Sequence, residues 1–405
     1  MVMTQRSTEY VFQGTMYFFR KEKICCRYQF TLCDPIDPAL LQTALDAALG
    51  AAPYFQVRLG WEKKAAYLEP NPNPCLVYEG STMRDIPEQT NEYLFCVSYE
   101  GSTIYFDWYH FLMDGHGTSP FLTRILEQYC TLRYGEQFPQ RGVLASSPAY
   151  DIEQMMAQYP QPTAGEAGLQ REVVQTFEGK MRRTRVRFAK QPLVDAALAN
   201  GVKPVSALMA LLSLGVGEYL HKEEIQYSYS ADTRDVAGVP DALYNCVCAY
   251  QHTLPAGQTV RLAEVAKLVD EEVQKDLLPQ TKHRRMAEQM GWIYKVDQQK
   301  ASLKIKQRVF QMGEYISGTP ADYWLSYLGN PLMPASAALE QYITDFQVWV
   351  PPDGGSMGVE AASLKGTITL CIENKAPFPD LSGALRTVLE REGIPVLEAV
   401  DLDEN

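Results

Sequence analysis

The chain has 405 residues, of which 46% are hydrophobic, so it is long enough for two globular domains. Its 37 basic and 49 acidic residues give a net charge of −12, which disfavours nonspecific binding to nucleic acid or to anionic membranes. Nine scattered cysteines, an odd number, favour reduced thiols over a disulfide framework. Because neither an apolar signal core nor a membrane-spanning helix is evident, we expect a cytoplasmic protein without membrane contact.

The first third of the chain alternates short strands with one helix. Two strands are predicted between residues 9 and 33, and Asp37 is expected to cap a helix over residues 38–53. Strands follow at 54–59 and 65–68, and a hairpin is expected from residues 93–99 and 103–110. This order indicates a mixed sheet with helices packed on it.

A strand–turn–helix segment follows, and it carries the residues of most chemical interest. The period-2 pattern of the hairpin's second strand continues to His110. Residues 114–117, Asp-Gly-His-Gly, are typical of a tight turn. Thr118 or Ser119 is predicted to cap a helix whose first residue is Pro120.

A boundary is predicted near residue 170, because residues 140–172 are rich in proline and glycine and lose apolar periodicity. We therefore divide the chain into residues 1–170 and residues 171–405. The second part shows the same style as the first, with strands expected at 183–188, 225–230, 242–252, 324–328, 344–350 and 366–373 and helices at 190–200, 204–220, 261–318 and 379–393.

Four short motifs occur in order along the chain. They are His110-x-x-x-Asp114-Gly115, Asp232-x-Arg234, Tyr244-Asn245-Cys246 and Ser326-x-x-Gly329. This set resembles the chloramphenicol acetyltransferase-like superfamily, which includes alcohol acetyltransferases, plant alcohol acyltransferases, polyketide-associated acyltransferases and condensation domains of nonribosomal peptide synthetases.

Three tyrosines depart from the patterns that many members of this superfamily share. Tyr109 stands where many carry a second histidine, Tyr244 replaces a glycine and Tyr327 replaces an asparagine. The DFGWG motif of the plant enzymes is not found.

The resemblance implies a mixed α/β fold of two chloramphenicol acetyltransferase-like subdomains, each a mixed sheet packed with helices, with a tunnel between them. The subdomain of residues 1–170 carries the HxxxDG motif. The subdomain of residues 171–405 carries the DxR and SxLG motifs.

The resemblance also assigns roles to the motif residues. His110 is the candidate general base for acyl transfer, and the alternative is a core histidine bonded to a backbone carbonyl. Asp114, followed by Gly115, resembles a structural anchor paired with Arg234 across the two halves. The alternative for this pair is a turn aspartate and a surface arginine.

A tetrahedral intermediate needs a hydrogen-bond donor for its oxyanion. Ser326 is the first candidate, with an ordinary strand hydroxyl as its alternative, and Tyr109 is the second candidate. Asp232 and Asn245 are expected to support the site, and for Asn245 a structural amide at a strand end is the favoured reading.

The expected reaction is transfer of an acyl group from acyl-coenzyme A to an alcohol or amine, without a metal or a permanently bound cofactor. Two basic sets are candidate phosphate contacts, although both are more often solvated faces: Arg183, Arg185 and Arg187, and residues 282–285. One alternative is a free-standing condensation-type enzyme whose donor is held by an acyl carrier protein. Another is a catalytically degenerate protein that binds a small molecule or a partner.

Overall fold

The computed structural model describes residues 16, 18–20, 23–61, 66–159, 179–257, 259–317, 321–352 and 357–402. The first predicted strand, near residues 10–19, lies mostly outside them. The strands are β1 (Cys25–Leu32), β2 (Val57–Trp61), β3 (Ala66–Pro70), β4 (Val77–Glu79), β5 (Phe95–Glu100), β6 (Thr103–Tyr109), β7 (Arg182–Ala189), β8 (Glu224–Asp232), β9 (Val247–Pro255), β10 (Tyr323–Gly329), β11 (Ile343–Trp349), β12 (Met357–Leu364), β13 (Thr367–Asn374) and β14 (Val396–Leu402).

Helices and two 3₁₀ segments, Pro53–Phe55 and Pro334–Gln341, complete the described chain. The helices are α1 (Pro38–Gly50), α2 (Gly115–Tyr134), α3 (Ile152–Gln158), α4 (Lys190–Ala199), α5 (Pro204–Leu220), α6 (Arg234–Ala237), α7 (Leu262–Asp276), α8 (Pro279–Asp297), α9 (Leu303–Ser317) and α10 (Leu381–Arg391).

Two mixed sheets form the framework, and helices pack on both. The first sheet has five strands in the order β11-β1-β6-β5-β4, and the second has seven in the order β14-β7-β13-β12-β10-β8-β9. Strands β2 and β3 form a separate hairpin. The predicted mixed α/β class, with two sheets packed against helices, is therefore confirmed.

Apolar side chains pack on both sheets, and the buried hydrophobic residues of the two halves form one cluster. In the first, the ring of Phe121 on α2 stacks on Phe55 with centroids 4.1 Å apart and meets Phe106 of β6 edge-on at 6.1 Å. In the second, α5 is apolar on every side and packs against α7 and α10. These buried faces follow the periodicities that predict helices and strands.

One strand of the C-terminal range belongs to the first sheet. β11 pairs antiparallel with β1, with Phe346 opposite Phe30 and Val348 opposite Tyr28. The division at residue 170 therefore does not coincide with the sheets, because residues 171–405 supply an edge strand to the N-terminal half. Local sequence patterns do not predict this pairing, because the neighbour of a strand depends on contacts with segments that are distant in sequence.

The start of α2 differs from the prediction. Asp114, and not Thr118 or Ser119, is the cap, because its Oδ1 accepts the backbone N–H of Gly117 at 2.8 Å. Pro120 consequently lies inside the helix and cannot donate to the carbonyl one turn earlier. A competing acceptor at Asp114 thus moved the helix start by five residues.

Five helices and strands were not predicted: α3, which lies in the expected linker, α6, and strands β4, β12 and β14. No single described helix is long and apolar enough to cross a membrane. Together α4 and α5 meet the length and composition criterion, but they are bent by 103° at the break between them.

Candidate active site

His110 continues the ladder of β6 by one residue. Its backbone N–H donates to the carbonyl of Ile24 at 2.9 Å, just before β1 begins. The side chain is buried, with the residue 8% exposed. Beyond it the chain turns, and the indole Nε1 of Trp108 holds the turn by donating to the Met113 carbonyl at 3.1 Å. The ring therefore sits at the end of a rigid strand and beside a fixed turn.

Two contacts involve the His110 ring. The side-chain amide nitrogen of Asn245 lies 3.4 Å from Nδ1, which is long for a hydrogen bond. A hydrogen bond with the residue's own backbone also acts on the ring. In the tautomer with its proton on Nδ1, Nε2 is the nitrogen that can accept a proton.

Burial lowers the pKa of His110 to about 4. The bond to its own backbone and the nearby Asp114 act in the opposite direction, and Arg20 adds to the decrease. The imidazole is therefore neutral at pH 7, which is the form a general base requires.

Asp114 is buried, and its carboxylate accepts three hydrogen bonds. Oδ1 accepts from the Gly117 N–H at 2.8 Å and from the Arg234 guanidinium at 2.8 Å, and Oδ2 accepts from the Cys246 N–H at 2.8 Å. The first bond caps a helix of the N-terminal part, and the other two reach into the C-terminal part. One carboxylate thus ties the turn after His110 to the second half of the chain.

Arg234 follows β8 and is buried with nearly all of its donors used. Nε donates to the Ala242 carbonyl at 2.8 Å, and a terminal nitrogen donates to the Tyr244 carbonyl at 2.9 Å as well as to Asp114. Burial by itself would lower the pKa of Arg234, but the adjacent Asp114 raises it overall, so the guanidinium stays charged. The structure thus places the two predicted partners in direct contact.

Asp232 and His116 form the outer edge of this arrangement. Asp232 Oδ1 accepts from the Arg234 backbone N–H at 2.9 Å, and its Oδ2 lies 3.1 Å from the His116 Nδ1. Burial acts to raise the pKa of Asp232, but His116 and Arg234 outweigh it and lower that pKa. Asp232 therefore orients Arg234 from the solvent side.

Two glycines in the first turn of α2 are required by close packing. A Cβ on Gly117 would overlap the backbone carbonyl of Leu243, and one on Gly115 would meet Leu328 and the Tyr28 hydroxyl. Both contacts join the turn to other parts of the site, because Leu243 and Leu328 belong to the C-terminal range.

The two predicted oxyanion donors fall in different places. Tyr109 ends β6, and strand alternation puts its buried side chain on the face opposite that of Trp108. Ser326 lies on β10, two residues before Leu328, and its hydroxyl bonds the side chain of Glu360. Ser326 is therefore on the strand that touches the turn, with its hydroxyl already engaged.

Sequence reasoning missed Glu360 and Tyr28. Both are buried, and the Tyr28 hydroxyl has no hydrogen-bond partner among the described residues. A single carboxylate in the apolar stretch MGVEAASL is the signal that would have singled out Glu360. Tyr28 carries no comparable sequence signal.

The candidate phosphate contacts are engaged elsewhere. Arg183 bonds Glu373 at 2.8 Å, and Arg185 and Arg187 both face Asp345 of β11. Lys282 pairs with Asp235, and Arg285 donates to the Ala249 carbonyl at 2.8 Å. Within the described ranges, no group of three His, Cys, Asp or Glu side chains has an arrangement that could hold a metal ion.

The fold is that of the chloramphenicol acetyltransferase-like proteins, as solved structures show. The chain is similar to polyketide synthase associated protein 5 from Mycobacterium tuberculosis, with a TM-score of 0.63, 14% identity, and 95% of this chain and 96% of that chain covered. It is also similar to the trichothecene 15-O-acetyltransferase TRI3 from Fusarium sporotrichioides, with a TM-score of 0.62, 12% identity, and 96% of this chain and 94% of that chain covered. The similarity to the first condensation domain of the CDA synthetase has a TM-score of 0.60 and 14% identity, and it covers 98% of this chain and 99% of that chain.

A search with protein-family models and a search of curated proteins found no match to the chain. The structural similarities confirm the predicted fold along almost the whole chain. At such low identities they establish the fold alone, so the activity has to be argued from the site.

Replacing either member of the Asp114–Arg234 pair should destabilise the protein strongly. Asp114→Ala and Arg234→Ala are each expected to lower the free energy of unfolding by about 3–5 kcal/mol, because a buried charge is left without its partner. The double variant should lose less than the sum of the two. Urea denaturation measures all three.

The control for that experiment is Lys275→Ala, which breaks an exposed pair with Glu272 at 3.1 Å. It should change the unfolding free energy by less than about 1 kcal/mol. Additive losses at Asp114 and Arg234, or losses as small as the control's, would show that the pair does not hold the turn.

Gly117→Ala should lower the free energy of unfolding by about 1–3 kcal/mol, because the added Cβ must displace the Leu243 backbone. Gly50→Ala, at the end of α1, is the matched control, since its Cβ meets nothing within 4 Å. That control should be neutral or stabilising by up to about 1 kcal/mol. Thermal unfolding of both variants beside wild type gives the comparison, and equal melting temperatures would contradict the packing argument.

Proposed function

We propose that this protein is an acyltransferase that moves an acyl group from a coenzyme A thioester to a hydroxyl or amine acceptor, with His110 as the general base. The observation that carries the proposal is a buried, neutral imidazole at a strand end. We place its proton on Nδ1, so that Nε2 can act as the base. The shared fold with an acetyltransferase and a condensation domain supports acyl transfer as the reaction class.

The reaction needs no covalent enzyme intermediate. As the acceptor oxygen or nitrogen attacks the thioester carbonyl, its proton moves to Nε2 of His110. Collapse of the tetrahedral intermediate breaks the carbon–sulfur bond, and the leaving thiolate takes the proton back from Nε2. The products are an ester or amide and free coenzyme A. A positioned base contributes about 10²–10⁴-fold, equivalent to about 3–5 kcal/mol of barrier.

The Asp114–Arg234 pair supports this mechanism without touching the substrate. Removing the pair would free the turn that follows His110, and the reacting nitrogen would lose its fixed position. Small displacements of a catalytic group are costly because the bound geometry supplies much of the rate enhancement. Asp114 and Arg234 are therefore positioning residues in this proposal.

A donor on an acyl carrier protein is a second candidate for the same site. It is favoured by the similarity to a condensation domain, which covers 98% of this chain and 99% of that one. The acceptor chemistry and the base would be the same. Consumption of free acyl-coenzyme A distinguishes the two donors.

The test is release of free thiol from acetyl-, medium-chain and malonyl-coenzyme A in the presence of pooled alcohols and amines. Wild type should release thiol, and His110→Ala should be slower by about 10²–10⁴-fold. His221→Asn is the control histidine variant, because His221 is exposed and its backbone is in the left-handed region that asparagine tolerates.

Equal rates in wild type and His110→Ala would rule out His110 as the base. No release by either protein would exclude these coenzyme A donors. It would leave carrier-protein donors or a binding role without chemistry.

The pH dependence follows from the pKa of His110. Since that pKa is about 4, kcat/KM should stay level from pH 7 down to about pH 5 and fall only near pH 4. In the unfolded chain histidine binds its proton near pH 6.5, so between pH 6.5 and 4 the unfolded state carries more protons than the native state. Native stability should therefore fall by about 3 kcal/mol across this window as pH decreases.

His110→Gln should lack this part of the pH dependence, and the difference between its unfolding curves and those of wild type isolates the contribution of one side chain. A decrease in kcat/KM near pH 6.5, together with the same pH dependence of stability in wild type and His110→Gln, would contradict a neutral buried imidazole.

A further inference from the structure

A polar cluster beside the candidate active site joins Ser326, the first candidate oxyanion donor, to two buried residues that no motif singles out. Its members are Tyr28 on β1, Ser326 on β10 and Glu360 on β12. Tyr28 belongs to the first sheet, and the other two belong to the second. The cluster therefore spans the junction of the two halves.

Ser326 and Glu360 face each other across two parallel strands. They are directly opposite in the register of β10 and β12, and their side chains are hydrogen-bonded. Glu360 is 2% exposed, and within the described part of the chain no lysine or arginine pairs with it. A buried carboxyl group with a hydroxyl partner and no cation is held in its neutral form.

The surroundings of Glu360 reinforce that state. Burial is the largest effect and raises the pKa of Glu360 well above the ordinary value. The hydrogen bond with Ser326 acts to lower that pKa, and the nearby Glu373 acts to raise it. Arg183 donates a hydrogen bond to Glu373, so its positive charge already has a partner. The other titratable groups that interact with Glu360 are the thiols of Cys26 and Cys371 and the Tyr28 hydroxyl. None of these supplies a positive charge.

Tyr28 brings an unused donor to the same place. The residue is 1% exposed, and within the part of the chain that the structure describes its hydroxyl has no hydrogen-bond partner. That hydroxyl would lie 2.9 Å from a Cβ on Gly115, so it sits against the turn that follows Asp114. Leu328, two residues beyond Ser326, touches the same point. A buried hydroxyl without a partner costs stability, and such groups call for an explanation.

We propose that Glu360 is a positioning residue that aims the Ser326 hydroxyl, and that this hydroxyl and that of Tyr28 donate hydrogen bonds to the thioester carbonyl oxygen as it becomes an oxyanion. The neutral carboxyl donates its proton to Ser326 Oγ, which frees the serine hydrogen for the substrate. No bond other than these hydrogen bonds forms or breaks. The inference rests on the proposed acyl transfer, and it adds the group that stabilises the intermediate.

The kinetic test uses the thioester that wild type consumes among acetyl-, medium-chain and malonyl-coenzyme A. Ser326→Ala should lower kcat by about 100-fold, because one oxyanion donor is lost. Glu360→Leu should lower kcat by about 10–100-fold with KM changed less than about threefold. If Glu360 acts through Ser326, the double variant should be no slower than Ser326→Ala. If the two decreases in kcat multiply in the double variant, Glu360 does not act through Ser326 and the proposal is overturned.

Glu360→Gln is the conservative variant, since an amide can still donate to Ser326. It should be at least about tenfold faster than Glu360→Leu at pH 7. In wild type kcat should fall at alkaline pH as Glu360 ionises and captures the serine hydrogen, and Glu360→Gln should lack that decrease. Asp270→Asn is the matched control, because Asp270 also binds a buried serine, Ser206, at 2.7 Å, but in the layer of α5 and α7. Its pH profile should be that of wild type.

Tyr28→Phe tests the second donor. It should lower kcat by about tenfold while leaving the melting temperature unchanged or higher, because the hydroxyl has no partner to lose. Full activity of Tyr28→Phe would remove Tyr28 from the proposal.

A stability measurement separates this inference from the proposed function. A glutamate whose pKa is raised in the native state binds more protons there than in the unfolded chain, so stability should fall as pH rises above about 4.3. Glu360→Gln should remove that decrease whether or not the protein turns over any thioester. Loss of activity in His110→Ala together with wild-type behaviour of Glu360→Leu would overturn the inference alone. Equal activity of His110→Ala and wild type would overturn the proposed function.

Discussion

The hydrogen-bonded ion pair between Asp114 and Arg234 is the constraint on which the rest of the site depends. Asp114 caps α2, receives the Cys246 N–H from the chain before β9 and neutralises a guanidinium that is otherwise buried. His110 lies four residues earlier on the same turn, so its place relative to the second sheet is set by this one carboxylate. Both ions pay a desolvation cost on burial, and the hydrogen bonds that surround them compensate for it. The pair fixes the geometry of the turn more than it adds to net stability.

Three buried groups of the same region have different neighbours. The Asp114 carboxylate faces a guanidinium and two backbone N–H groups. Burial is the main cause that lowers the pKa of His110 to about 4. Burial likewise raises the pKa of Glu360 well above its ordinary value, although the hydrogen bond with Ser326 acts in the opposite direction. A neutral histidine can accept a proton and a neutral carboxyl group can donate a hydrogen bond, so the neighbours of each group decide its chemical role.

Local sequence patterns predicted what depends on neighbours within a few residues. Period-2 alternation located β1 and β6, and Asp37 caps α1 as expected, since its side chain accepts the Ala39 and Leu40 N–H groups. The predicted cap of α2 was wrong because three residues around Gly117 compete for the same role, and the tertiary contact with Arg234 selected Asp114. The sheet assignment of β11 and the meeting of Tyr28 with Gly115 depend on packing between distant segments, which no local pattern reports. Motif resemblance singled out His110, Asp114, Arg234 and Asn245, but it gave no sign of Glu360. In the structure Asp114 contacts Arg234, and the Asn245 amide nitrogen lies 3.4 Å from the His110 ring.

The pairing of β11 with β1 is a second connection between the two halves of the chain, besides the Asp114–Arg234 pair. β1 carries Tyr28 and pairs on one side with β11 and on the other with β6, the strand that leads to His110. β11 in turn faces Arg185 and Arg187 of the second sheet through Asp345. The strand that carries one proposed donor is thus fixed to both halves, and the strand that carries the other, β10, lies in the second sheet beside β12. Donors held in this way need no reorganisation when charge develops on the substrate, which is the condition under which hydrogen bonds contribute most to catalysis. A change at the junction of the halves should therefore act on kcat even where it touches neither the base nor the substrate.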